Sequence, residues 1–100
     1  MTKQRKIIWD NEAAKQFKEI FEFVRIDSLQ AAIKIRSEIF ATTSKIPPNP
    51  KLFAADKLKD NNDGSFRAFT IFHYRISYQI TETEILILRI RHTSREAEKY

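Results

Sequence analysis

Tyr74-Arg75-Ile76-Ser77-Tyr78-Gln79-Ile80 alternates apolar and polar side chains without a break, and Ile85-Leu86-Ile87-Leu88-Arg89-Ile90-Arg91 follows a short polar gap. A period of two belongs to a strand with one face buried and the other open. The two runs read as neighbouring antiparallel strands, and their register decides which side chains share a face. With Ile76, Tyr78 and Ile80 opposite Ile90, Leu88 and Leu86, the turn centres on Thr83 and holds an odd number of residues. An even turn would set arginines among apolar neighbours, and burying an unpaired charge is costly. The odd turn is therefore the expectation. It places Arg75 opposite Arg91 and Ser77 opposite Arg89, on the face turned away from the apolar packing surface. Like charges facing each other across a sheet repel, and an anion touching both would relieve them.

Upstream, 66–72 is apolar on both sides and reads as a third strand, with His73 a structural turn residue before Tyr74. Near the start, Lys6-Ile7-Ile8-Trp9 is β-branched and aromatic and predicts a short strand. Asp10 or Asn11 supplies an N-cap, and Glu12 lies in the first turn, where the helix dipole favours an anion. Ala13, Phe17, Ile20, Phe21 and Val24 then form one helical stripe. Leu29, Ala32, Ile33, Ile39 and Phe40 form a second, with Arg36 intruding, behind a capping box of Asp27 and Gln30. A connection of about two residues implies an antiparallel helical hairpin. The fold class is α+β: an N-terminal strand, the hairpin, then a three-stranded antiparallel meander, in a single domain spanning 1–100.

The stretch 46–65 carries all three prolines (Pro47, Pro48, Pro50) and the sole glycine, Gly64, and reads as a long loop. Loops of that length are usually functional or pinned by side chains. Leu52, Phe53 and Leu58 are the expected pins, leaving Lys51, Lys57 and Lys59 in solvent.

Eighteen Lys+Arg against thirteen Asp+Glu give a net charge of +5. Five of the arginines (Arg67, Arg75, Arg89, Arg91, Arg95) fall within 64–100, alongside one lysine, Lys99. Arginine's planar fork suits phosphate better than lysine's point charge. Absence of cysteine excludes disulfides and thiolate metal sites. No apolar run reaches the ~20 residues of a membrane-spanning helix, nor the ~7–15 of a secretory core, so the expectation is a soluble cytoplasmic protein with no membrane partner. Two histidines without metal-ligand spacing, one glycine and no nucleophile elbow leave no metal and no cofactor expected. His92 lies three residues before Arg95, a spacing that could hold a phosphate with His92 as proton carrier. The plainer reading is a strand-end histidine satisfied by backbone or solvent. Tyr100 could stack on a base or offer its hydroxyl.

The element order, Trp9 ahead of the first helix, the Tyr74–Ile80 strand and the run from Ile85 through His92-Thr93-Ser94-Arg95 together resemble the RelE/ParE toxin superfamily. That resemblance implies a growth-inhibiting toxin of a bacterial type II toxin–antitoxin pair, bound by a cognate antitoxin in a hetero-oligomer. Two activities share the family. RelE-like members are endoribonucleases that cut messenger RNA on the ribosome, which would make Arg75, His92 and Arg95 catalytic here. ParE-like members are gyrase inhibitors and not enzymes. For either target the resemblance implies binding by Arg89, Arg91, Lys57, Lys59 and Tyr100. Tyr100 and the basic loop resemble the ribonucleases, whereas the long hairpin and His92-Thr93-Ser94-Arg95 resemble the gyrase poisons. Phe72-His73 departs from the glycine-containing turn of many members. A non-toxic small basic nucleic-acid-binding module is the alternative.

Overall fold

A computed structural model describes residues 4–94 and 98–100. Its six elements are β1 (Lys6–Trp9), α1 (Asn11–Asp27), α2 (Leu29–Thr43), β2 (Phe66–Ile71), β3 (Tyr74–Ile80) and β4 (Glu84–His92). The strands form one sheet in the order β1-β4-β3-β2, with β1 parallel to β4 and the rest antiparallel. The meander is thus completed on one side by the N-terminal strand, which the hairpin carries across the sheet.

Asp10 caps α1, its carboxylate accepting from Glu12 N–H at 3.1 Å. The second cap differs from the expected Asp27–Gln30 box. Ser28 alone closes α1, donating its N–H to Val24, and opens α2, its hydroxyl accepting from Ala31 N–H at 3.1 Å. One extended residue between the helices is what folds them back on each other. Trp9, Phe17 and Phe40 meet where β1 enters the hairpin, with Trp9 and Phe17 stacked at 5.1 Å. The stripe on α2 is also corrected. Ala32, Ile35 and Ile39 turn inward, while Leu29, Ile33 and Phe40 stay largely exposed, and Arg36 lies over the Phe21 ring at 4.7 Å. Isoleucines at 33, 35 and 39 allow two stripes, and the helix takes the one that meets the sheet.

The core lies between hairpin and sheet, formed by Ile39, Ile46, Phe69, Tyr74, Ile76, Tyr78, Ile85, Ile87 and Ile90 around Ala13. Each such side chain contributes about 1.5–3 kcal/mol through burial. Arg75 does pair with Arg91, Ile76 with Ile90 and Ser77 with Arg89. Beyond Ser77 the register shifts, so Tyr78 meets Ile87 and Ile80 meets Ile85. The turn centred on Thr83 is therefore overturned: Ile80 pairs with Ile85 across an even number of residues, and Leu88 is the extra residue of a β-bulge. Every position from Ile85 to Leu88 is apolar, so burial alone does not choose a parity there. The turn does. Thr81 N–H donates to Glu84 C=O at 2.9 Å, and Glu84 N–H donates to Thr81 Oγ1 at 2.9 Å. The bulge then restores the outward parity of the arginines, which the cost of burying unpaired charge enforces.

The loop 46–65 is pinned, though not by Leu52, which is exposed. Ile46 is fully buried and Phe53 stacks on Phe69 at 4.7 Å. Arg67 donates to the carbonyls of Gly64 and Phe53, and Tyr78 Oη donates to Pro50 C=O at 2.9 Å. Asp56 N–H pairs with Phe66 C=O at 2.8 Å, and Ala68 N–H with Ala54 C=O at 3.2 Å, so the loop lines the outer edge of β2. This delivers Asp56 to the sheet.

Candidate functional site: an arginine row under its own cover

β3 sends Arg75 and Ser77, and β4 sends Arg89 and Arg91, onto the sheet face opposite the hairpin. The segment 98–100 and the loop cover them. Arg75 Nη2 donates to Asp56 Oδ1 at 2.6 Å, with the Asp56 side chain wholly buried and that of Arg75 24% exposed. Tyr100 Oη donates to Asp56 Oδ2 at 2.6 Å, and Leu58 N–H donates to Asp56 Oδ1 at 3.0 Å. Three donors thus converge on one carboxylate, as a buried charge requires.

The Tyr100 ring lies 4.0 Å from the Arg89 guanidinium. Its main chain is held as well, Tyr100 N–H donating to Leu58 C=O and Asp60 N–H donating to Tyr100 C=O. Lys59 turns inward over Phe66 and Tyr100 and donates to the Tyr100 carbonyl at 3.1 Å. Arg91 pairs with Glu98 at 3.0 Å, and Arg89 donates to Glu98 C=O at 2.7 Å. The repulsion between facing guanidiniums is therefore relieved from within the chain.

Burial works to raise the Asp56 carboxyl, but the hydrogen bonds from Tyr100, Arg75 and Leu58 outweigh it and hold the group below its ordinary value. The same contact works oppositely on Tyr100. Burial, and next its bond to Asp56, push the phenol up to about 12. Burial lowers Arg89 somewhat, with Tyr100 opposing the shift.

Of the residues singled out in the sequence, Arg75, Arg89, Arg91, Lys59 and Tyr100 converge here, while Lys57 is exposed beside Asp56. His92 lies on the opposite face, across from Tyr74, its ring 5.2 Å from the tyrosine and 5.8 Å from His73. Ser94 N–H donates to His92 Nδ1 at 3.0 Å, the strand-end arrangement of the plainer reading. Arg95 lies outside the described residues. Asp56 was missed. It is the only acid between Ile46 and Lys59, among three lysines, and such a lone carboxylate next to apolar anchors was the available signal.

A helical hairpin thus packs on one face of the sheet and an arginine row lies on the other. The chain shares its fold with a structure of the chromosomal ParDE toxin–antitoxin system of P. aeruginosa, at 18% identity and a TM-score of 0.70, covering 91% of this chain and 98% of that one. It also resembles the conserved hypothetical protein HP0894 of Helicobacter pylori, at 18% identity and a TM-score of 0.55, over 90% and 96% of the two chains. Among curated protein sequences none matches. The family model of the ParE toxin of the type II toxin–antitoxin system parDE matches residues 7–97. The chain belongs to that family and is a toxin of a type II toxin–antitoxin system, which implies an antitoxin partner. No helix among the described residues is long and apolar enough to cross a membrane.

Proposed function

We propose that this toxin arrests growth in the cytoplasm by binding DNA gyrase, without cutting nucleic acid, until its antitoxin covers it. The observation that carries this reading is the Asp56–Arg75 pair at 2.6 Å. Cleavage by attack of a ribose 2′-hydroxyl needs a base and an acid that change protonation near neutral pH, beside a group that stabilises the phosphate. Asp56 is held below the usual carboxylate range and Tyr100 is pushed up to about 12. Neither is poised to exchange a proton at pH 7. His92 faces the other side of the sheet. The arginine row serves better as a rigid, charged recognition surface.

One observation favours the second reading, ribosome-dependent messenger cleavage. Asp56, Arg75, Arg89 and Tyr100 lie together as carboxylate, guanidinium and phenol, and a bound RNA could displace Tyr100 from Asp56. Inducing the gene without its antitoxin separates the two. Gyrase binding predicts arrested growth, intact messenger and a DNA-damage response. Cleaved messenger without that response, lost in Arg75→Ala, supports the ribonuclease. Unimpaired growth with abundant folded protein contradicts both.

A further inference from the structure

β2 and β3 are joined by the two residues Phe72 and His73, between the paired positions Ile71 and Tyr74. Phe72 has a φ of 53°, a sign shared among the described residues only by Asn61 and Gly64. Asparagine and glycine tolerate that region, whereas for a bulky side chain it is a strained exception. A two-residue turn with positive φ at its first central position is ordinarily given a glycine there. The turn is firmly held all the same. Thr93 N–H donates to His73 C=O at 2.7 Å, and the His73 and His92 rings stack at 5.8 Å. Packing does not explain a phenylalanine in this place, since its ring is 50% exposed and lies outside the core. Backbone strain held by its surroundings gathers where a protein binds or acts.

Of the charged groups around the turn, Lys34 on α2 is the one placed against the ring, its Nζ 5.7 Å from the centroid. Arg36 lies over Phe21 instead, and Glu38 follows one helical turn beyond Lys34. Lys34 forms no ion pair among the described residues. His92 borders a separate cleft on the α1 side, shared with Glu12, Glu19 and Arg91. The tip therefore presents one rigid aromatic with one cation at its shoulder. A single lysine is too little for duplex nucleic acid, whose affinity comes from several phosphate contacts. Arg75, Arg89 and Arg91 are engaged on the sheet face. Two copies meeting tip to tip would set Lys34 against Lys34. An apolar protein pocket with a carboxylate on its rim suits both the ring and the ammonium.

We infer that Phe72 is the anchor of the target interface, entering an apolar, acid-rimmed pocket of gyrase while Lys34 pairs with the rim. A ring already aimed by its turn gives up little freedom on binding, and the strained backbone supplies that aim. This rests on the gyrase reading and adds to it the surface that makes the contact.

The test compares the affinities of the purified toxin and its variants for purified gyrase. Phe72→Ala keeps the strained backbone and deletes the ring, and Phe72→Gly removes both. Each is expected to bind about thirty-fold more weakly, or about 2 kcal/mol. The thermal midpoint of Phe72→Gly moves up at the same time, so that affinity and stability change in opposite directions. Lys34→Glu weakens binding roughly ten-fold. Ile8→Thr alters an exposed apolar residue on the strand at the opposite edge of the sheet and leaves binding unchanged. Binding of both ring variants at the affinity of the unaltered toxin overturns the anchor and leaves the gyrase reading standing. So does a loss of duplex DNA binding or of self-association in Phe72→Gly with gyrase affinity unchanged. No binding of gyrase by the unaltered toxin overturns both.

Discussion

Asp56 and Arg75 meet at 2.6 Å beneath the segment 98–100, and each removes the other's reason to seek a partner outside the chain. The contact joins the loop to β3 across 19 residues of sequence.

Removing one member of such a pair is far more costly than forming it is favourable, because an uncompensated charge is left with little water. Asp56→Ala is expected to destabilise the fold by about 3 kcal/mol. Asp56→Asn costs less, since the amide oxygen still accepts hydrogen bonds. Urea unfolding at pH 7 measures both. Adding Arg75→Ala to Asp56→Ala should cost less than the two single losses together, the mark of a direct coupling.

The same cluster sets two limits in pH. Tyr100 is raised to about 12 in the folded state, so its contribution is complete below the ordinary phenol value near 10 and is lost between pH 10 and 12. Its magnitude, allowing for solvent screening, is on the order of 1 kcal/mol. Asp56 is lowered, so its contribution is present above about pH 4 and disappears as pH falls through the folded value. Thermal melts across pH should show both losses, and Tyr100→Phe should shrink both. It removes the Tyr100 share of the alkaline loss, leaving that of Tyr74 and Tyr78, and takes away one of the hydrogen bonds that hold Asp56 down.

Much of this was legible in the sequence. Switches of hydrophobic period mark the hairpin and the meander, and outward arginine parity follows from the cost of burying charge. What escaped was what a locally uniform sequence conceals. Ile85-Leu86-Ile87-Leu88 has no parity to read, so the bulge was invisible until the Thr81–Glu84 turn was seen. Asp56 looked like one more charge in a lysine-bearing loop, because its burial depends on Phe53 and Ile46 anchoring that loop to a distant core. The parallel pairing of β1 with β4, and the edge it leaves open, depend on how far β1 extends relative to a strand about 80 residues away.

Phe72 adopts a φ of 53° in the two-residue turn between β2 and β3, in the left-handed region that costs a side chain about 1–2 kcal/mol. The ring is half exposed, with Lys34 5.7 Å above it, so little packing compensates. Phe72→Gly is expected to raise stability by roughly 0.5–1 kcal/mol, read as an upward shift of the thermal midpoint.

The most direct measurement places the purified toxin with purified gyrase in one reaction and with translating ribosomes in another. The account expects a stable complex with gyrase, inhibited supercoiling and full-length messenger on the ribosomes. Messenger cut on the ribosome, with gyrase neither bound nor inhibited, would contradict it.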